Sequence, residues 1–253
     1  AFVDGVDNDN TTVDIHRFHF EIAENPVDLV MNIHHPISDL NINGKLDSRF
    51  DLSSLANAVP MENVNLSGVI NANIDIMGTM SMIEQERYED FKADGKVIAD
   101  NLVYESPDMP QTFAMNHADI SFSPKFIEIA ALNASLGRSD FQFTGKLENF
   151  IPYTFEEDED LQGSFFFKSS MLNLNELMAD AEEDPIVEDT TSTPLEVVEV
   201  PENIDVTLYS ELDKIIYDNI EIDDAKGTIK ISNQRILLDG FKMNMLEGSM
   251  VMN

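Results

Sequence analysis

The chain of 253 residues contains no cysteine and no tryptophan, and only 15 lysines and arginines stand against 48 aspartates and glutamates. Without cysteine there is no disulfide framework and no thiol chemistry, which is compatible with an oxidising compartment but does not require one. The net charge of −33 argues against nucleic acid as a partner, because phosphate binding needs clustered basic residues. It also disfavours adhesion to anionic lipid headgroups. Without tryptophan, a carbohydrate-binding module that stacks sugars on aromatic rings is a weak candidate function.

Long apolar runs are missing as well. No stretch of 18 apolar residues occurs, so the sequence predicts no helix that spans a bilayer. The chain starts without methionine or an export signal and stops on Met252-Asn253, and we interpret it as a piece of a longer protein. The motifs of serine hydrolases, P-loop proteins and dinucleotide-binding proteins are all absent. The sequence therefore predicts a protein that is not an enzyme and holds no cofactor.

The histidines do not form a metal-binding pattern. His16 and His19 lie three apart in a strand-like segment and are expected to face opposite sides, and His34 and His35 diverge in the same way. His117 stands alone, so solvent-facing histidines are the expectation. The acidic stretch at residues 4–10 is only faintly similar to a calcium loop, since the glutamate required at its twelfth position is missing.

Alternation of polar and apolar residues dominates the chain and is typical of half-buried strands. Clear runs are VDIHRFHFE from Val13, LSGVINANIDI from Leu66 and FQFTGKL from Phe141, with glycine, asparagine, aspartate and proline between runs. Many short strands with short connections indicate an antiparallel meander. We predict a mainly β protein: an extended, curved antiparallel β-sheet, as a trough or partial barrel, capped or plugged by a few short helices.

The alternating pattern repeats once at a constant offset. Residues 118–145 match residues 227–252 when Ile120 is set on Ile229, and apolar positions then coincide at every second residue within each run. A pattern of this kind predicts a sheet that grows by addition of similar units. Methionines alternate in the second copy, and ordinary core packing and a soft apolar lining both remain open for them.

Three short helices and one linker interrupt the predicted strands. The helices are expected at residues 52–59, 81–91 and 173–181, the second opened by a capping box of Ser81 and Glu84. Residues 1–178 then form one repeat-built sheet segment, 179–203 an acidic linker or loop, and 204–253 a continuation of the same sheet.

Several segments together resemble the AsmA-like family, in the large form found in envelope proteins of Bacteroidetes-type bacteria. They are NGKLDSRFDLSSL from Asn43, LSGVINANIDIMGTMSMIEQERYEDFKADGKVIADNLVYES from Leu66, SFSPKFIEIAALNASLGRSDFQFTGKLENF from Ser121, LQGSFFFKSSMLNLNELM from Leu161, and VPENIDVTLYSELDKIIYDNIEIDDAKGTIKI from Val200. The resemblance covers most of the chain. It implies a periplasmic protein whose full-length form is anchored in the inner membrane, with membrane contact only through parts absent from this chain. Relatives of TamB type are bridge-like lipid transfer proteins, in which the sheet curls into a trough with an apolar inner face.

The residues support such a face on their own terms. If one side of the strands is apolar and no second layer covers it, an acyl chain can lie along that side. The alternation assigns ten candidates to this lipid groove: Ile120, Phe122, Ile127, Ile129, Phe141, Phe143, Phe165, Phe167, Ile229 and Ile231. A register error of one residue would invert the assignment.

Two functions follow from the sequence. The first is an apolar β-groove for phospholipid, or another acyl-chain lipid, in lipid transport or outer-membrane biogenesis. The alternative is an envelope scaffold or assembly factor that binds protein partners by its sheet edge. An open apolar face favours the first, and a free edge strand favours the second.

Overall fold

A computed structural model of the chain describes residues 8–58, 63–88, 90–155, 159–178 and 202–253. Within these ranges the chain forms fourteen strands, all of them in one sheet. The strands are β1 (Val13–Ile22), β2 (Asn25–His34), β3 (Asn41–Asp51), β4 (Asn65–Thr79), β5 (Lys92–Ser106), β6 (Met109–Ser123), β7 (Phe126–Leu136), β8 (Ser139–Glu148), β9 (Leu161–Ser169), β10 (Leu172–Asn173), β11 (Ile204–Tyr217), β12 (Ile220–Ser232), β13 (Arg235–Met245) and β14 (Gly248–Met252). The helices are α1 (Leu52–Ala58), α2 (Met80–Glu84), α3 (Phe150–Phe155) and α4 (Leu174–Met178), and a 3-10 turn spans Asn8–Asn10.

The strands lie in the sheet in the order in which they occur in the chain. Each pairs antiparallel with the next from β1 to β9 and again from β11 to β14, while β10 pairs with β11 at one end. The edges β1 and β14 do not pair with each other, so the sheet is open. The predicted mainly β fold, one extended sheet with a few short helices, is confirmed.

Strand β11 pairs in parallel with β9 and with the short β10, which the sequence did not indicate. Strands β9 and β11 run in the same direction, from Leu161 beside Ile204 to Ser169 beside Leu212. Two parallel neighbours need a long crossover because the chain has to return to the end from which it came. The connection between β9 and β11 includes the acidic segment predicted at residues 179–203, of which residues 179–201 lie outside the described part of the chain.

The internal repeat corresponds to two copies of a three-stranded meander. Strands β6 and β12 end at Ser123 and Ser232, and β8 and β14 begin at Ser139 and Gly248, so both pairs are 109 residues apart. Strands β7 and β13 have the same length and the same offset at both ends. The repeat predicted from alternation is therefore a repeat of strands and of the two-residue turns between them.

Of the predicted helices, the second is shorter than the sequence suggested. Helix α1 begins at Leu52 as predicted, and residue 59, the last one predicted for it, lies outside the described part of the chain. The carboxylate of Asp51 accepts hydrogen bonds from the amides of Ser53 (3.0 Å) and Ser54 (3.3 Å) and caps this helix. Helix α2 spans Met80–Glu84 rather than 81–91, because the chain takes a left-handed turn at Glu86. The side chain of Ser81 donates to Asp39 at 2.8 Å instead of capping the helix.

Of the last two helices, the sequence predicts α4 but not α3. Helix α4 lies inside the predicted range 173–181, whose last residues are outside the described part. Helix α3 is absent from the sequence-based prediction, although Pro152 stands in its first turn, where proline is tolerated.

The fully buried apolar side chains lie almost entirely on one side of the sheet. Small residues in the middle strands, such as Ala99 and Ala118, are less than a tenth exposed. A larger cluster of Leu212, Ile215 and Phe241 lies where β10 and α4 pack onto β11–β13. This side of the sheet carries the core, and it is also the side on which the candidate groove residues lie.

Candidate functional site

Cross-strand pairing defines a row across twelve strands that is apolar at every position except one. Residues paired in register project to the same side of a sheet, so the row can be followed from partner to partner. It consists of Phe20, Val27, Ser48, Ala72, Val97, Ile120, Ile129, Gly145, Phe165, Leu208, Ile229 and Leu238. At about 4.8 Å between strands the row is on the order of 50 Å long. Ser48 is its only polar member, and we call this side of the sheet the apolar face.

A second row, two residues further along each strand, is apolar throughout. Its members are Phe18, Leu29, Leu46, Ile74, Gly95, Phe122, Ile127, Leu147, Gly163, Val206, Ile231 and Ile236. The two rows together make a strip two side chains wide. A strip of this length on an open sheet is unusual for a protein that does not bind an apolar partner.

The opposite side of the same strands is polar. One residue away from the first row, the partners are His19, Asp28, Asp47, Asn73, Lys96, Ser121, Glu128, Lys146, Ser164, Thr207, Lys230 and Leu237. Ion pairs such as Lys96 with Asp119 (2.9 Å) and Lys92 with Asp75 (2.9 Å) lie on this side, which we call the polar face. The sheet is thus amphipathic over nearly its whole width.

All ten groove candidates lie on the apolar face. Four belong to the first row, Phe122, Ile127 and Ile231 belong to the second, and Phe141, Phe143 and Phe167 lie on the other side of the first row. Each of the ten is half-buried, neither covered completely nor freely exposed. The structure therefore brings the candidates together on one surface, although it does not enclose them in a cavity.

The apolar face extends beyond the ten candidates. Leu29, Leu46 and Ile74 in β2–β4 continue the second row and have the same half-buried character. Alternation is present in these strands as well, but all ten candidates lie at Ile120 or later in the chain. The face is therefore wider by several strands than the sequence indicated.

Glycines opposite phenylalanines shape this surface. The ring of Phe122 lies over Gly95, its cross-strand partner, so closely that a Cβ on Gly95 would be 2.0 Å from the ring. Phe165 lies over Gly145 in the same manner, and Phe143 stacks on Phe167 with ring centroids 4.5 Å apart. Phenylalanine rings that pack flat against glycine cover the backbone of the neighbouring strand, so the apolar face presents ring carbons there instead of backbone atoms.

Short elements cover the two ends of the apolar face. Helices α2 and α3 follow β4 and β8, whose ends would be about 19 Å apart in a flat sheet, yet the two helices contact each other. Ile83 of α2 and Ile151 of α3 are buried. At the opposite end, Leu172 of β10 and Leu174 of α4 pack on the buried cluster around Phe241. The contact between α2 and α3 and the uneven burial of the two faces fit a sheet that curves toward its apolar face.

Titratable groups of the polar face form pairs rather than a catalytic or metal-binding cluster. His19 Nδ1 lies 2.8 Å from Asp28 Oδ1, and His117 Nδ1 lies 2.7 Å from Asp100 Oδ1. All four residues belong to strands of the sheet. Within the described ranges, no group of three or more histidines and carboxylates is arranged to hold a metal ion. The geometry thus offers surface ion pairs on one face and apolar contact on the other.

The acidic group whose pKa is shifted most is Asp9, near the start of the chain and away from the apolar face. Asp9 accepts hydrogen bonds from the hydroxyl (2.5 Å) and amide (2.8 Å) of Ser38 and from the amide of Ile37 (3.1 Å). These bonds, led by the one from the Ser38 hydroxyl, lower the pKa of Asp9 to about 2. Asp9 therefore fastens the first 3-10 turn to the connection between β2 and β3.

Two hollows lie on the polar face. One, of about 380 Å³, is bordered by Asp28, Arg49, Asn71 and Ile98 on β2–β5. The other, of about 360 Å³, lies over β9–β13 beside Phe166 and Tyr209. The apolar face, by contrast, is a broad strip that runs across the strands.

Comparison of the chain with protein-family models, with curated proteins and with solved structures gave no match. None of the helices in the described ranges has the length and apolar character needed to cross a bilayer. The resemblance to the AsmA-like family therefore stays a prediction from the sequence, and the amphipathic sheet carries the functional argument.

Proposed function

We propose that this chain is a non-enzymatic segment of an AsmA-like cell-envelope protein in the periplasm and that its apolar face carries the acyl chains of phospholipids. The observation that supports the proposal is the apolar strip, which continues across twelve strands in register. In water, such a surface gains free energy when apolar area is covered, at roughly 25 cal/mol per Å². An extended acyl chain is long, narrow and apolar, and it matches the strip in shape and chemistry.

The distribution of charge supports an orientation in which the acyl chains of the lipid lie on the apolar face and the headgroup lies in water. The polar face carries carboxylates and their lysine partners, while the ten candidates on the apolar face are all uncharged. A phospholipid on the apolar face keeps its headgroup at the open side of the sheet, in water. This arrangement avoids contact between an anionic headgroup and a chain whose net charge is −33.

Lipid binding is tested by native purification followed by mass spectrometry of extracted lipid, and by titration with a fluorescent polyene fatty acid. Phe122→Glu and Ile231→Glu each place a charge on the second row and are expected to abolish lipid capture, since an ionised carboxylate against an acyl chain is strongly unfavourable. Ser121→Glu is the matched control, because Ser121 precedes Phe122 and lies on the polar face. Far-UV circular dichroism establishes that each variant folds. Equal lipid binding by Phe122→Glu and Ser121→Glu would refute the proposal.

A second candidate function rests on the sheet edges. Phe18 and Ile22 on β1 are nearly half exposed, and Ile236 and Leu237 on β13 are more than half exposed. Strand β14 pairs only with Phe241–Met245, so within the described residues the first half of β13 has no neighbour on that side. Free backbone groups next to exposed apolar side chains suit a partner protein that adds a strand. If an Ile236→Lys variant loses protein partners in crosslinking but keeps lipid, the scaffold function is favoured.

A further inference from the structure

Two aromatic rings stack on the polar face, where the neighbouring side chains are hydrophilic. Phe166 of β9 and Tyr209 of β11 are cross-strand partners with ring centroids 4.9 Å apart and planes inclined by 21°. They are 53% and 41% exposed, so they contribute little to the core. The partner of Tyr209 on the other side is Thr228 of β12, which is too small to cover the second face of the Tyr209 ring.

The next row of the same face places two lysines directly opposite each other. Lys168 pairs in register with Glu211, Glu211 with Lys226, and Lys226 with Lys242. Lys168 is neutralised by Glu211, with Nζ 2.5 Å from the carboxylate. Neither Lys226 nor Lys242 has an ion-pair partner within the described ranges. Like charges in directly opposite positions destabilise a sheet, and this chain has more than three acidic residues for each basic one.

The backbone around this lysine pair is irregular on both sides. The register between β12 and β13 shifts before Lys226 and again directly after it. Asp224 at the first shift and Gly240 at the second have positive φ angles of 53° and 59°. Bulges turn individual side chains and are frequent beside functional sites. The two bulges on either side of Lys226 therefore give both ammonium groups directions that they would not have in a regular β-ladder.

These groups surround a single hollow of about 360 Å³. Its lining includes both aromatic rings, the three lysines, Glu211 and Thr228. The space above Gly240 is open, with no atom within 4 Å of the position that a Cβ would take. The charge of Lys226 also reaches Glu211, whose pKa is lowered first by the hydrogen bond from Lys168 and further by Lys226. The hollow is thus a locally positive, partly aromatic site on a strongly negative protein.

The surrounding charge limits what this site can accept. A polyanion would place its further charges among the acidic residues of the chain, so the occupant carries one negative group. The free face of Tyr209 suits a sugar ring that presents C–H bonds on one side, because the aromatic face is electron-rich. We propose that this hollow binds a pyranose ring bearing a single carboxylate, with the ring on Tyr209 and the carboxylate between Lys226 and Lys242. This site is independent of the apolar face and lies on the opposite side of the sheet.

Amide NMR titration separates the two parts of the recognition. Glucuronate supplies the ring with the charge, glucose supplies the ring alone, and acetate supplies the charge alone. Glucuronate is expected to shift the amides around Tyr209 and Lys242 with a dissociation constant on the order of millimolar, and the other two probes at least about tenfold more weakly. Acetate shifts equal to those of glucuronate mean an adventitious ion only and overturn the proposal. Glucose shifts equal to those of glucuronate, or no shifts at all, also overturn it.

Three variants complete the test. Tyr209→Ala removes the ring and Lys242→Gln removes one charge, and each is expected to weaken glucuronate binding at least about fivefold. Lys92→Gln is the matched control on the polar face, since Lys92 is already paired with Asp75, and it is expected to bind normally. Unchanged glucuronate affinity in Tyr209→Ala or Lys242→Gln contradicts the proposal. Lipid capture by the same variants stays normal if the two faces act independently.

Discussion

Gly227 gives a sharp test of the register on which the apolar face depends. A Cβ at Gly227 would lie 2.5 Å from Cα and 2.8 Å from Cδ2 of Phe241, a buried residue of the core cluster. Because the nearest atom belongs to the backbone, it cannot rotate away. Gly227→Ala is therefore expected to push β12 and β13 apart locally, at a cost of about 1–3 kcal/mol for overpacking.

Gly44→Ala is the matched control for this change. Gly44 also lies in a strand on the apolar face, but its nearest neighbour would be the carbonyl oxygen of Val30 at 3.6 Å, an ordinary contact. Both alanines reduce the entropy of the unfolded chain by a similar amount, so this effect cancels when the two variants are compared. The remaining difference in the free energy of unfolding is the overpacking cost at Gly227.

Urea denaturation followed by circular dichroism measures this difference. With a denaturant dependence near 3 kcal/mol per molar, the midpoint of Gly227→Ala is expected roughly 0.3–1 M below that of Gly44→Ala. If the two midpoints coincide, or if Gly227→Ala is the more stable variant, Gly227 does not face Phe241. The pairing of β12 with β13, and with it the order of residues on the apolar face, would then be wrong.

Two further changes test contacts outside the apolar face. Asp140 accepts hydrogen bonds from the amides of Ser170 and Met171, each at 2.8 Å, so Asp140→Ala leaves two donors without their partner and is expected to cost about 1–3 kcal/mol in urea denaturation. The exposed Asp213→Ala is the control and should stay within about 0.5 kcal/mol of the parent protein. The depressed pKa of Asp9 means that its contribution is complete above the unfolded value of 3.8 and is lost as the pH falls toward about 2. Hydrogen exchange at Ile37 and Ser38 should therefore speed up over that pH range in the parent protein and be fast at all pH values in Asp9→Ala, which removes the acceptor. A difference between the two proteins that does not depend on pH would contradict this.

The sequence predicted the sheet well because period-two alternation is a direct consequence of strand geometry. It placed all ten candidates on one face, since every one of them lies in a run where apolar residues recur at the second position. Helix α2 was overestimated because Ile83, Arg87, Tyr88 and Phe91 are spaced to share one helical face. The bond from Ser81 to Asp39 and the turn at Glu86 end the helix early. Propensity over so short a segment is easily overridden by tertiary contacts.

Two features had no signal in the local pattern. The parallel pairing of β9 with β11 joins residues about forty positions apart, and alternation is the same in parallel and antiparallel strands. Alternation places Phe166 on the side opposite Phe165 and Phe167, but it does not indicate which side chains lie beside that ring. The cross-strand partner Tyr209 and the lysine pair beyond it become neighbours only through that parallel joint.

The parallel pairing of β9 with β11 differs from the antiparallel pairings in the length of the loop that has to close. Antiparallel neighbours are reached through connections of two to thirteen residues, whereas Ser169 and Leu212 meet only after the whole crossover has been traversed. Closing a loop of more than thirty residues instead of two costs on the order of 2 kcal/mol more in chain entropy. Force or denaturant should therefore part the sheet first along the seam between β9 and β11. Such an opening would cut the apolar strip into a nine-strand piece (β1–β9) and a three-strand piece (β11–β13) while leaving each piece folded.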